Sequence, residues 1–149
     1  MCGCWIGWWR RTTRIEAKRA ASSGASVADY RRAKFGNART RDYRSAFFNA
    51  NPQLKGKVVV HHAVEQQVLK TFPGVVTSKE VHSLENLRGI PNEVNPRLHL
   101  NQIRTEWNHF YKPFLDKGTQ PTKAQLLEKA TEIDAKLGSQ FNPSVGGDR

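Results

Sequence analysis

Lys57-Val58-Val59-Val60-His61-His62 is the stretch on which the reading of this chain turns. Side chains branched at Cβ pack well on a pleated surface and lose rotamer freedom in a helix, so three consecutive valines predict a strand. An adjacent histidine pair stands at its end. Neighbouring side chains of a strand point to opposite faces. The two imidazoles therefore suit a division of labour, one binding a metal and the other handling a proton.

Downstream, residues 84–90 read as a second short strand, closed by Pro91. Asn95 can cap the next helix, with Pro96 at its first helical position, and the segment runs to about residue 111. Leu100, Ile103, Trp107 and Phe110 follow helical spacing and form the expected buried stripe, with His99, Gln102, Glu106 and His109 on a polar face. Asn95 and His99 stand four residues apart, so their side chains can converge on one ion. Imidazole nitrogen and amide oxygen both suit a divalent metal. A strand-end histidine and these two helix groups make a three-ligand site with open positions for water and a substrate oxygen. A free imidazole beside it, with an ordinary pKa of about 6.5, can deprotonate water at neutral pH. His82 and His109 are read as surface groups or as supports outside the ligand set.

Around this centre the chain is well punctuated. Ser26 can cap a helix carrying Val27, Tyr30 and Ala33 that ends near Gly36, and a second helix is expected over residues 40–48, stopped by Asn51-Pro52. Residues 63–71 have helical composition. Thr122 and Gln125 form a capping box for a last helix with Leu126, Leu127, Ala130, Ile133 and Leu137 on its apolar face and Gly138 at its end.

Charge is unevenly distributed. The 149 residues carry a formal net charge of +11; residues 1–60 hold 13 Lys and Arg against 3 Asp and Glu, and residues 61–149 hold 11 against 10. Such an excess favours an anionic partner, nucleic acid or a membrane surface. No apolar run approaches the roughly 20 residues of a membrane-spanning helix. Residues 1–9 are apolar but short and are followed by Arg10-Arg11, the reverse of a signal peptide's charge order, so they read as a mobile or vestigial leader. Cys2 and Cys4 are the only cysteines, too few for a structural zinc site.

The order Val60-His61-His62, Ser83-Leu84-Glu85-Asn86-Leu87-Arg88-Gly89-Ile90-Pro91 and Asn95-Pro96-Arg97-Leu98-His99-Leu100 resembles the HNH/endonuclease VII superfamily, whose fold is a β-hairpin followed by a metal-binding helix. The resemblance implies that His61 is a metal ligand and His62 the general base. It makes Asn86 the central asparagine that braces the hairpin loop, and Asn95 and His99 the helix ligands. A closer resemblance covers about residues 45–143. His61-His62-Ala63-Val64-Glu65-Gln66-Gln67, Glu85-Asn86-Leu87-Arg88-Gly89-Ile90-Pro91 and Trp107-Asn108-His109-Phe110-Tyr111 look like C-terminal toxin domains of bacterial polymorphic toxins. Those domains often follow Rhs-type repeats and act as nucleases against competing cells. The resemblance implies a bacterial protein, cytoplasmic when made and delivered into a target cell as part of a larger toxin. Its producer would need an inhibitor, and an acidic immunity protein would suit the basic surface.

The expectation is thus an α+β chain. Residues 41–145 form an HNH-like domain on a ββα-metal motif with flanking helices, and residues 1–40 a basic, poorly structured arm that adds sequence-independent phosphate affinity. The expected reaction is metal-dependent hydrolysis of DNA phosphodiesters. His62 deprotonates the attacking water with Asn86 in support. One divalent ion (Mg²⁺, Mn²⁺, Ni²⁺ or Zn²⁺), held by His61, Asn95 and His99, stabilises the developing charge. Arg88 and Arg104 hold the scissile phosphate. Two rivals stand beside it: a non-catalytic nucleic-acid-binding protein whose histidines hold a structural metal, and the same fold cutting RNA.

Overall fold

A computed structural model describes residues 32–145 of the chain. The apolar leader, the cysteine pair and the Ser26 cap lie outside the described residues. The described part is α+β. Its elements are α1 (Tyr43–Ala50), a 3₁₀ turn (Pro52–Leu54), β1 (Val58–His62), α2 (Val68–Thr71), α3 (Ser78–Val81), a 3₁₀ turn (Leu84–Asn86) and β2 (Leu87–Pro91). A long helical stretch follows, made of α4 (Asn95–Arg97), a π-helical segment (Leu98–Ile103) and α5 (Arg104–Lys117). The chain then folds into α6 (Lys123–Leu137) and a closing 3₁₀ turn (Gly138–Gln140). Among the described residues no helix is long and apolar enough to cross a membrane.

β1 and β2 pair antiparallel, with Val60 opposite Gly89, His61 opposite Arg88 and His62 opposite Leu87. The strand alternation sorts the two faces. Val58, Val60 and Leu87 pack with Phe47 and Leu54 in a small cluster under α1. Ile90, on the other face, joins the main core, in which Val64, Val68, Phe72, Leu98, Ile103, Trp107, Leu126 and Ile133 are buried. The segment after β2 turns back, which brings His99 to His61.

The elements differ from expectation where tertiary contacts override local preference. Helix is confined to Val68–Thr71 within residues 63–71. Asn86 takes the Ala63 N–H on its carbonyl (2.7 Å) and the Val64 N–H on its Oδ1 (2.9 Å), and its Nδ2 donates to the Val64 carbonyl (3.0 Å), which ties residues 63–64 to the turn before β2. Residues 84–86 form a 3₁₀ turn, and the strand begins only at Leu87. The helical stretch starts from Val94 with no side-chain cap bond, so Asn95 is not a capping group. Its buried stripe is Leu98, Ile103, Trp107 and Tyr111, while Leu100 is 56% exposed. The five-residue step from Leu98 to Ile103 is that of a π turn, which holds more residues per turn than an α-helix and so shifts the apolar face by one position. The expected box at α6 is present: Gln125 N–H donates to Thr122 Oγ1 (3.2 Å) and Thr122 N–H to Gln125 Oε1 (2.8 Å).

The domain also begins earlier than residue 41. Residues 33–38 form no helix and belong to the body that starts at Arg32. Three of their amides donate across the fold, Ala33 to Thr131 Oγ1 (3.0 Å), Gly36 to Ser83 Oγ (2.9 Å) and Ala38 to the Lys79 carbonyl (2.9 Å).

At the other end, the Asn142 N–H donates to the Gly89 carbonyl at 2.8 Å. A Cβ at Gly89 would overlap the Asn142 carbonyl oxygen and stand 3.0 Å from Phe47 Cζ. An alanine in an open strand position is worth about 0.5–1 kcal/mol over glycine. Gly89→Ala should reverse that sign and destabilise by about 2 kcal/mol or more in urea unfolding, because the closing segment must lift off β2. An unchanged or raised midpoint would show that the close approach is not maintained in solution.

Candidate functional site

Asn86 builds the site without lining it. Its side chain is fully buried; Oδ1 accepts the Val64 N–H (2.9 Å), and Nδ2 donates to the Val64 carbonyl (3.0 Å) and the Val81 carbonyl (2.8 Å). One amide thus ties the chain leaving β1 to the end of α3 and to the turn entering β2. With these bonds made, Asn86 orients the end of β1. These bonds are those of the bracing asparagine that the resemblance implies, and they leave the buried side chain no free group to turn toward a substrate.

The two histidines of β1 face apart. On the core side, the His61 ring meets the His99 ring edge-on, centroids 4.5 Å apart. His99 Nδ1 lies 3.2 Å from Asn95 Oδ1, one helical turn earlier. Burial holds the His61 imidazole well below the usual histidine pKa, with the neighbouring His99, His62 and Arg88 acting in the same direction. Burial, then the Arg104 charge, lowers His99 as well. Both rings are therefore neutral at pH 7, the form that ligates metals. Asn95 Oδ1 only accepts, so its contact with His99 is a hydrogen bond from the His99 Nδ1–H; the same separation suits two ligands about 2.1 Å from a common ion once that proton is given up. Two imidazoles and an amide oxygen fit a borderline divalent ion. Among the described residues no three His, Cys, Asp or Glu side chains are grouped to hold a metal. The trio therefore depends on Asn95 as its third member.

On the α1 side, His62 is held from both ends. Gln66 Nε2 lies 3.2 Å from its Nδ1, and its Nε2 lies 3.1 Å from His82 Nδ1. Tyr43 of α1 sits edge-on to His62 (4.4 Å) and stacks on His82 (5.4 Å, planes 5° apart). Burial lowers the His62 pKa to about 4, with contributions from the nearby His82, Arg44 and His99. His109 is exposed on α5, about 15 Å along the helix from His99.

The arginines divide into structural and available ones. Arg88 is buried against Asp134 of α6: Nη2 meets Oδ2 at 2.6 Å, Nε lies 3.2 Å from both carboxylate oxygens, and Nη1 donates to the Glu85 (2.8 Å) and Leu87 (2.9 Å) carbonyls. Its donors are committed inside the protein, so the expected phosphate contact is replaced by an internal strut. Arg104 is exposed, and its charge acts on both His99 and Glu65. Arg44, beside His62, and Arg41, beside His82, are exposed too and were not anticipated. Gln66 and Tyr43 carry no sequence signal for this place, and for His82, expected at the surface or as a support, nothing in local spacing brings it to residue 62; the loop closed by Asn86 does. Glu65 is half-buried, its pKa pushed up to about 7 by burial against the opposing pull of Arg104, and the Tyr111 hydroxyl donates to it at 3.4 Å.

Comparison of the chain with protein-family models, curated proteins and solved structures finds no match.

Removing one member of a buried, hydrogen-bonded ion pair leaves an uncompensated charge. Arg88→Ala and Asp134→Ala should each destabilise by about 3–5 kcal/mol, and the double variant by clearly less than their combined effect. Denaturant titration of the three proteins checks this; strictly additive losses would mean the two side chains act independently.

Glu65 gives a pH signature. Its folded pKa is raised from 4.5, so its contribution to stability is full below about pH 4.5 and is lost as pH rises through about 7. In the metal-free protein, Glu65→Gln should gain on wild type by on the order of 1–2 kcal/mol between about pH 4 and pH 8, allowing for partial exposure. Parallel stability curves would place Glu65 in water.

Proposed function

We propose that this chain is a metal-dependent endonuclease of the HNH-like, ββα-metal kind that hydrolyses DNA phosphodiesters, and that it serves as the nuclease domain of a bacterial polymorphic toxin. One observation carries the nuclease reading. Adjacent histidines at the end of β1 are divided between two polar groups, His61 with His99 and Asn95, and His62 with Gln66 and His82. Three exposed arginines stand beside them, Arg104 at the first group and Arg44 and Arg41 at the second.

In this reading His61, Asn95 and His99 hold the divalent ion, whose chemistry is Lewis-acid stabilisation of the phosphate and of the leaving 3′ oxygen. His62, neutral at pH 7 and outside the ligand set, takes the proton of the attacking water. Arg104 and Arg44 bind the phosphodiester from either side. Asn86 and Arg88 fix the frame on which these groups stand. The formal charge of +11 supplies affinity for a polyanion that should weaken steeply with salt. The toxin reading rests on the resemblance of residues 45–143, and an acidic immunity protein covering the arginine-rich face is its natural partner.

The test incubates the purified protein with plasmid, linear DNA and RNA, each with Mg²⁺, Mn²⁺, Ni²⁺ or Zn²⁺ and with chelator. Chelator-sensitive cleavage of DNA is expected. His62→Ala should lower cleavage on the order of 10²-fold while metal and DNA binding persist, whereas His99→Ala should weaken metal binding at least about tenfold by calorimetry. DNA binding without cleavage under every metal would leave a binding protein in its place, and cleavage of RNA alone would change the substrate.

A further inference from the structure

We propose that His82 is a positioning residue for His62: its Nδ1 accepts the Nε2 proton of His62 and so fixes the tautomer in which the His62 Nδ1 lone pair is the reactive one. The inference rests on the reading of His62 as the proton acceptor. The hydrogen-bond pattern leads to it directly. A neutral imidazole has one donor and one acceptor nitrogen. The Gln66 Nε2 group only donates, and it lies 3.2 Å from His62 Nδ1, so Nδ1 is the acceptor. The proton then resides on Nε2, whose neighbour at 3.1 Å is His82 Nδ1. That atom must accept, and the remaining proton of His82 falls on its own Nε2.

Packing holds His82 to this task. Its ring lies parallel to Tyr43, which meets His62 edge-on, so the three rings fix one another. The lone pair that now accepts from Gln66 is the one an attacking water would use. When His62 takes that proton, its Nε2–H carries positive charge towards His82 Nδ1, and a charge-assisted hydrogen bond is about twice as strong as a neutral one. His82 thus stabilises His62 more after proton transfer than before, the property required of a group that orients a general base.

Two substitutions separate the acceptor from the ring. His82→Phe keeps an aromatic ring for Tyr43 and removes the acceptor; His82→Asn offers Oδ1 where Nδ1 stood and removes the ring. If the acceptor matters, His82→Phe should lower kcat on plasmid about 10–100-fold with KM and Zn²⁺ affinity unchanged, and His82→Asn should stay within about fivefold of wild type. An active Phe variant, or an Asn variant as impaired as the Phe variant, overturns the proposal. So does a second Zn²⁺ per chain that is lost in both variants, which would make His82 a ligand.

Nuclear magnetic resonance of the imidazole nitrogens gives a readout independent of cleavage. In wild type His62 should be protonated at Nε2, and His82→Phe should erode that preference. Protonation at Nδ1 in wild type would refute the assignment even if the Phe variant failed to fold. Absence of cleavage by wild type under all four metals would count against the nuclease reading alone, since the tautomer is measured without substrate.

Discussion

A single buried amide carries this structure. Asn86 spends both ends of its side chain on backbone far away in sequence, and its own carbonyl takes the Ala63 N–H. Residues 63–86 form a long connection between two short strands, and bringing its ends together carries a loop-closure entropy that grows with length. A two-stranded sheet is marginal alone. The amide, with α2 and α3 packing Val68 and Val81 into the core behind it, makes the connection a fixed part of the frame. The direction of the last residues of β1, and so of both imidazoles, follows from that clamp. Arg88 and Asp134 do the equivalent for β2 by tying it to α6.

The electrostatic arrangement is unusual in its sign. Four histidines are kept neutral, each mainly by burial, while exposed arginines stand around them. Glu65 is the carboxylate on which burial and Arg104 pull in opposite directions. Neutral donors in a positive surrounding do not attract a cation strongly on their own. A phosphate group would offset that surrounding, so occupancy by an ion and by an anionic ligand would reinforce each other in the nuclease reading.

What was legible in the sequence is what short-range rules control. Three valines wrote β1, the histidine pair announced its own division between faces, and Thr122 with Gln125 wrote the start of α6. Long-range contacts decided the rest. Residues 63–71 have helical composition, yet Ala63 and Val64 serve Asn86. Arg88 looks like a surface cation until Asp134, 46 residues later, takes it inside. His82 reaches His62 only because the loop between them closes. Residues 33–38 belong by local composition to the end of a helix and to a basic arm, because the acceptors that hold them, at Lys79, Ser83 and Thr131, cannot be seen locally. Asn95 has a full local explanation as a cap, and the helix begins one residue away from needing it.

The π-helical segment makes one helix obey two registers. From its last residue onward, Ile103, Trp107 and Tyr111 keep the helix seated in the core. At its leading end, Asn95 just ahead of it and His99 in its first turn keep their bearing on His61. Each residue of an α-helix turns the chain by about 100°, so deleting one residue of this segment would rotate the leading turn by that angle and leave the trailing turns in place. The segment works like a vernier: a one-residue indel there would swing the polar pair away from the sheet with the hydrophobic seat untouched. Length in this stretch is therefore under a tighter constraint than the identity of its exposed residues, and tolerance of Leu100 and Asn101 to substitution should coexist with intolerance of any change in spacing.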